Sequence, residues 1–168
     1  RRYHYKNFEG LINGYAIWSR NKNVDMVVVG RPWSKEEERF LTEANILDRL
    51  YLLTDVSDMY LSELYNHALA FVYPSLYEGF GIPLLEAMAC GCPVVASCIP
   101  STVEVAEKIP IYFEPMEVES LLAALNTVYS EGRDSLRVEQ GLEHVRQYSW
   151  DRTARQTLEV YRALSDFK

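Results

Sequence analysis

The chain has 168 residues, 48% hydrophobic and 12% aromatic, enough for the packed core of one ordinary domain. Its formal charge of −7 argues against a nucleic-acid-binding surface, which depends on clustered Lys and Arg. No apolar run approaches the ~18 residues of a membrane span and no charged-then-apolar leader opens the chain, so a cytoplasmic domain is expected, with peripheral association with the inner face of a membrane as the alternative for a longer polypeptide.

From the first residues to about Pro115, apolar runs alternate with helical patterns, which predicts an α/β fold: a Rossmann-like open parallel sheet with helices on both faces. In chain order the pattern gives a helix from Asn7 to Asn21, a strand from Asp25 to Gly30 and a helix from Lys35 to Ala44. A strand from Leu50 to Thr54, a helix from Ser57 to His67 and a strand from Leu69 to Tyr73 follow. Then come a helix from Pro83 to Ala89 and strands from Pro93 to Ser97 and Ile111 to Glu114. β-branched and aromatic residues dominate the strands, and Ser34 with Glu37 reads as a capping box. Beyond Glu117 the pattern is helical alone: Glu117 to Ser130, Asp134 to Gln147 and Trp150 to Leu164, with Asp134 and Ser149 as N-caps. No repeat or linker divides the chain, so residues 1–168 read as one unit. An open sheet of this kind needs a strand before Asn7, and only Arg1 to Lys6 precede it. That first strand is usually central, its loss would expose the edges of two neighbours, and the natural polypeptide is expected to extend upstream.

The most informative stretch runs from Tyr73 to Ser97. Gly79 and Gly81 read as positions of positive φ that let a ligand approach the backbone, with Pro83 opening a helix whose N-terminus attracts phosphate. Glu78 in the loop and Glu86 in the first turns can face one pocket, where carboxylates accept hydrogen bonds from sugar hydroxyls; the reading is a nucleotide-sugar site. Ligands of open α/β sheets bind outside the carboxyl ends of the strands, which brings in Arg2 and Lys6 as cations for a diphosphate. A hydrolytic carboxylate pair is the other chemistry such a spacing suggests, and the phosphate-binding context argues against it. Cys90, Cys92 and Cys98 lack a suitably spaced fourth ligand and read as small buried side chains rather than a metal set. Asp55 and Asp58 invite a metal reading, but a carboxylate after a strand more often caps the following helix, a role open to Ser57 or Asp58; the three histidines share no ligand spacing, and Tyr60, Leu61, Leu64 and Tyr65 read as core.

Glu78-Gly-Phe-Gly-Ile-Pro-Leu-Leu-Glu86 resembles the E-x7-E motif of the retaining GT-B glycosyltransferases of family 4, also termed group 1. Arg2 to Phe8 resembles the family's basic element, Thr54 to Asp58 its base-contacting turn and Tyr148 to Asp151 its closing helix, so the likeness covers essentially the whole chain. The match is to the C-terminal, donor-binding half of a two-domain enzyme, whose N-terminal acceptor domain is absent from this chain. The stretch from Cys98 to Ala106 departs from the family's glycine-rich or proline-glutamate turn, although Glu104-Val105 keeps an acidic-apolar pair, and Lys108 to Pro110 replaces a glycine-acidic turn.

The resemblance implies transfer of a sugar from a nucleoside diphosphate donor, linked to UDP, GDP or ADP, with retention of configuration. It implies that Glu78 holds the donor sugar, that Glu86 accepts from the ribose, and that Arg2 (or Arg1) and Lys6 bind the diphosphate. Backbone of Gly79, Phe80, Gly81 and Ile82 would approach the phosphates or sugar, and Val56 would hold the base. No cofactor or metal is implied, since fixed cations and amides take that role. The acceptor, a carbohydrate or a lipid-linked group, would bind the missing domain, and the isolated domain would bind donor without transferring. The alternative is a non-catalytic nucleotide-sugar-binding or interaction module of the same fold.

Overall fold

Helix and strand alternate as expected in a computed structural model of the chain, which describes residues 4–133 and 135–165. After a 3-10 turn at His4–Lys6, helix α1 (Phe8–Trp18) leads to strand β1 (Met26–Val29), α2 (Lys35–Glu43), β2 (Leu50–Leu53), α3 (Asp58–His67) and β3 (Phe71–Tyr73). Next come α4 (Ile82–Ala89), β4 (Val94–Ser97), α5 (Pro100–Ala106), β5 (Ile111–Phe113), α6 (Val118–Glu131), α7 (Leu136–His144) and α8 (Trp150–Ser165).

All strand pairs are parallel, and β4 is buried along its whole length, as a strand covered on both faces must be. One core joins α1 and α6 to Val95, Ile111 and Phe113; a second joins Tyr65 of α3 and Leu84, Ala87 and Met88 of α4 to Tyr73, Val94 and Ala96. Successive β4 residues therefore face opposite cores, as the period of two requires. The sheet is not one continuous ladder: β1 pairs with β2, β3–β4–β5 form a separate group, and no strand joins β1 to β3 among the described residues.

The capping box forms, with Glu37 N–H donating to Ser34 Oγ at 3.2 Å and Ser34 N–H to Glu37 Oε2 at 2.7 Å. Ser57 and Ser149 cap α3 and α8, while Asp134 lies outside the described residues. Several expectations are corrected. α1 stops at Trp18 and tightens into a 3-10 turn at Ser19–Asn21, and α7 does the same at Val145–Gln147. Asn7 is not helical; it sits at φ 49° and its side-chain N–H donates to Pro115 C=O at 2.8 Å. The stretch after Ser97 is helix α5, because Pro100 suits a first turn and buried Thr102 accepts from Ile99 N–H at 3.3 Å while donating to Ser97 C=O at 2.6 Å. Tyr60 is exposed, unlike Tyr65, and Cys98 is exposed while Cys92 is buried, so neither group is uniformly core. α8 is exposed along its length, and no described helix is long and apolar enough to cross a membrane.

Arg133 ties the second core together. Its guanidinium donates to the carbonyls of Tyr65 (3.1 Å), Ala68 and Gly91 (2.9 Å), tying the end of α3 and the turn before β3 to the turn before β4. Arg133→Ala should destabilise the chain by about 2–3 kcal/mol, the scale of hydrogen bonds to a charged donor whose buried acceptors are left unmet. Urea denaturation measures this, and Arg133→Lys should recover only part, lacking the planar fork.

Candidate functional site

The loop leaving β3 passes through Pro74, buried Ser75 and Leu76 to Glu78, and the turn at His4–Lys6 lies against it, Leu76 N–H donating to Tyr5 C=O at 2.6 Å. This backbone bond fixes Lys6. Its Nζ donates to Glu78 Oε1 at 2.6 Å, with the two side chains 35% and 13% exposed, and lies 5.3 Å and 5.6 Å from the ring centres of Tyr5 and Tyr73. An ammonium between two aromatic faces and a carboxylate is held in place without being sealed from solvent.

Burial pushes the Glu78 carboxyl up, but the bond from Lys6, with the Ser75 and Tyr73 hydroxyls adding to it, reverses this and leaves the group below its ordinary value. The Ser75 hydroxyl has no hydrogen-bond partner of ordinary geometry among the described residues, so Lys6 is assigned the main part. Burial first, and Glu78 second, raise the Tyr73 phenol, which stays a neutral donor.

Glu86, exposed on α4, lines the same cleft as Lys6, together with Pro83, Ser75 and Arg31. It also faces Tyr65, whose phenol is raised by burial and then by this carboxylate. Gly81 is the N-cap of α4 at φ 112°, and a Cβ there would meet Leu84 Cδ1 at 3.0 Å. Gly79, by contrast, does not adopt positive φ, and a Cβ on it would meet nothing within 4 Å, so its expected conformational requirement is absent. Phe80 and Ile82 are exposed, and the Phe80 ring meets Tyr148 edge-on at 6.1 Å, bringing the loop to the start of the C-terminal helix. Ile82 rather than Pro83 is the first helical residue; Pro83 has no N–H and Leu84 N–H returns to Gly81 C=O at 2.9 Å, so this helix start offers an anion fewer donors than expected.

Lys6 and Glu78 are thus brought into contact, and Glu86 lines the cleft that Lys6 also borders. Val56 lies on the turn after β2, one strand further from the cleft, and no hydrogen bond joins it to the pair among the described residues. Arg1 and Arg2 lie outside the described residues. Sequence reasoning missed Tyr5, Tyr73 and Arg31; the signal for Tyr73 was its place as the last residue of the strand whose loop carries Glu78, and for Arg31 its place directly after Gly30. Among the described residues no three His, Cys, Asp or Glu side chains gather as a metal site would need.

Residues 1–142 match the family described as Glycosyl transferases group 1. The chain belongs to that family. It is 33% identical to O-antigen chain mannosyltransferase B of Escherichia coli over 164 residues, covering 95% of this chain and 43% of that protein. Over 124 residues it is 33% identical to O-antigen chain mannosyltransferase RfbU of Salmonella typhimurium, 74% of this chain and 35% of that one. Among solved structures, sucrose-phosphate synthase from Thermosynechococcus elongatus superposes with a TM-score of 0.84 at 25% identity, covering all of this chain and 44% of that one. The structure of TarM superposes at 0.79 with 19% identity, over 96% of this chain and 33% of that one. The group 1 chain thus spans less than half the length of these relatives, and its architecture is the Rossmann-like α/β fold of GT-B glycosyltransferases.

Glu78 titrates below its ordinary 4.5 in the folded chain, so its charged form stabilises the fold fully above that value and the contribution is lost as pH falls through the folded pKa. The stability difference between the native chain and Glu78→Gln, measured by urea denaturation, should be constant between about pH 7 and about pH 5.5 and shrink at lower pH. A difference that grows on acidification would contradict the assignment. In Lys6→Met, with burial acting unopposed by the ammonium, the Glu78 carboxyl should titrate higher, as read by NMR.

Proposed function

We propose that the chain is the donor-binding domain of a glycosyltransferase that moves a hexosyl group from a nucleoside diphosphate sugar to a carbohydrate or lipid-linked acceptor, with retention of configuration. The observation that carries this reading is the Lys6–Glu78 pair at 2.6 Å, beside a cleft that Glu86 also lines, at the end of β3 where its carboxyl-terminal loop leaves the sheet. The names of the relatives favour mannosyl as the sugar. A cytoplasmic location belongs to the same reading.

Each group has work suited to its chemistry. An ammonium has three donors, and Glu78 takes one, so Lys6 can hold Glu78 and still donate to a phosphate oxygen. Glu78, kept charged, accepts from sugar hydroxyls beside that phosphate, and Glu86 accepts from the ribose. As the bond from the anomeric carbon to the diphosphate breaks, negative charge grows on the leaving oxygens and Lys6 stabilises it, with Arg2 as its partner. A leaving-group oxygen takes the acceptor's proton as the acceptor attacks the same face. Gly81, Phe80 and Ile82 shape the loop around the donor, Gly79 leaves space there, and the turn at Val56 receives the base. No metal is required in this scheme, because the fixed cation takes the developing charge.

Calorimetric titration with UDP, GDP, ADP and their hexose conjugates should show binding of one base, weakened in Glu86→Ala; binding of none would reject the reading. In the full-length enzyme, Lys6→Ala should lower kcat by about 100-fold or more, the scale for loss of one preorganised electrostatic contact. Near-normal turnover would remove Lys6 from the mechanism.

A further inference from the structure

The stretch that links Glu78 to α4 is held at its ends and loose between them. Lys6 fixes Glu78, and Leu84 N–H returns to Gly81 C=O at 2.9 Å where the helix begins. Among the described residues no hydrogen bond joins Gly79, Phe80 or Gly81 to another element, and a Cβ on Gly79 would meet nothing within 4 Å. A ring contact reaches this stretch from elsewhere in the fold: Phe80, 45% exposed, meets Tyr148 with ring centres 6.1 Å apart and planes at 77°. Edge-to-face pairs of that geometry are attractive and directional.

Tyr148 is the rigid partner. Its N–H donates to Val145 C=O at 3.0 Å, and Val145 packs against the second core. Its hydroxyl donates at 3.1 Å to Val105 C=O, a carbonyl in the last turn of α5 that no backbone N–H meets among the described residues. His144 reaches the same carbonyl through Nε2 at 2.8 Å, and its ring lies 5.5 Å from that of Tyr148. A carbonyl only accepts, so Nε2 carries the hydrogen and Nδ1 takes one from Gln147 Nε2 at 2.8 Å. α5 is in turn tied to the sheet: Thr102 Oγ1 donates to Ser97 C=O at 2.6 Å, and the Tyr112 hydroxyl to Thr102 C=O at 3.0 Å. The Tyr148 ring is therefore set by β4, β5, α5 and α7, and Phe80 is the side that follows it.

We propose that Tyr148 is a positioning residue for the loop at residues 79–81: anchored on Val105, its ring holds Phe80 and so sets the backbone that meets the nucleoside diphosphate sugar, a role that rests on the donor-binding reading above. Simple packing does not account for the pair, because Phe80 stays nearly half exposed and removing it uncovers little core. What the contact fixes is direction. Gly79 leaves the loop free on one side, and Gly81, at φ 112°, turns it into α4 on the other, so the ring between them is the point at which one conformation is selected. Selecting it before a ligand arrives lowers the entropy lost on binding. Tyr148 itself touches no ligand in this role.

Backbone amide NMR relaxation without ligand reads the loop directly. The amides of Gly79, Phe80 and Gly81 should have order parameters of about 0.8 in the native chain and below about 0.6 in Tyr148→Ala and in Phe80→Leu, with Val95 of β4 rigid in all three as the folding control. Loss of rigidity at Val95 in Tyr148→Ala would pass the test to Phe80→Leu, whose side chain is too exposed to carry the fold. Tyr148→Phe, which keeps the ring without its bond to Val105, should lie between. Calorimetric titration with the hexose conjugates of UDP, GDP and ADP should then show the one that binds weakened about threefold to tenfold in Tyr148→Ala and in Phe80→Leu, with the double variant no weaker than the poorer single one and Tyr148→Phe recovering part of the loss. In the full-length enzyme the same factor should appear in the donor KM and not in kcat. Rigid loop amides in Tyr148→Ala would overturn the proposal, and so would unchanged affinity or additive losses. Binding of none by the native chain would reject the donor-binding reading, while the order parameters would still support or overturn the hold of Tyr148 on the loop.

Discussion

Parallel pairing is the constraint on which the rest depends. Parallel strands need a crossover between them, so each brings its helix to a face and all turn their carboxyl ends to one side. In this chain α1 packs against Met26 and Val28 of β1 and also against the core that holds Val72, Val95 and Ile111, so the two strand groups share one helix layer although no ladder joins them. That shared layer, with the bond from Leu76 to Tyr5, sets the distance between Lys6 and Glu78, which lie 72 residues apart in sequence.

The pair contributes little to stability. Lys6 is about a third exposed, and ion pairs of that exposure are worth about 1 kcal/mol or less after solvent screening. Its effect is positional. A free lysine has many rotamers, and the carboxylate with the rings of Tyr5 and Tyr73 selects among them before any ligand arrives. The entropy of ordering a long side chain, up to roughly 2 kcal/mol, is thereby spent in folding rather than in binding.

What the sequence made legible follows from how local the determining physics is. The runs Met-Val-Val-Val and Val-Val-Ala-Ser are short and β-branched between turn residues, and the Ser34–Glu37 box acts over three residues, so strands and the α2 start could be read directly. The Glu78 to Glu86 spacing was legible for the same reason. α5 was not, because its stability comes from Thr102 folding back on Ser97 and Ile99, a side-chain arrangement that its proline and β-branched residues disguise as loop. Gly79 was misjudged because glycine permits positive φ without requiring it. Arg133 gave no local signal at all: its acceptors are carbonyls 42 to 68 residues away. The Lys6–Glu78 bond is of that long-range kind, and only the shared carboxyl-end location of the two segments anticipated it.

Charge then decides how a donor of the proposed kind would be held. A chain of net charge −7 repels a diphosphate at long range, and at physiological salt that repulsion is screened beyond about 8 Å. Attraction therefore has to be local. Lys6 is paired with Glu78, and Asp25, Glu63 and Glu86 line the cleft it borders, so these groups do not make the site cationic. Arg31, just after β1, lines the same cleft. Lys6 and Arg31 lie near the strand ends and Glu78 and Glu86 on the loop and on α4, an arrangement that a donor of the proposed kind, anionic in its middle and hydroxylated at both ends, would use.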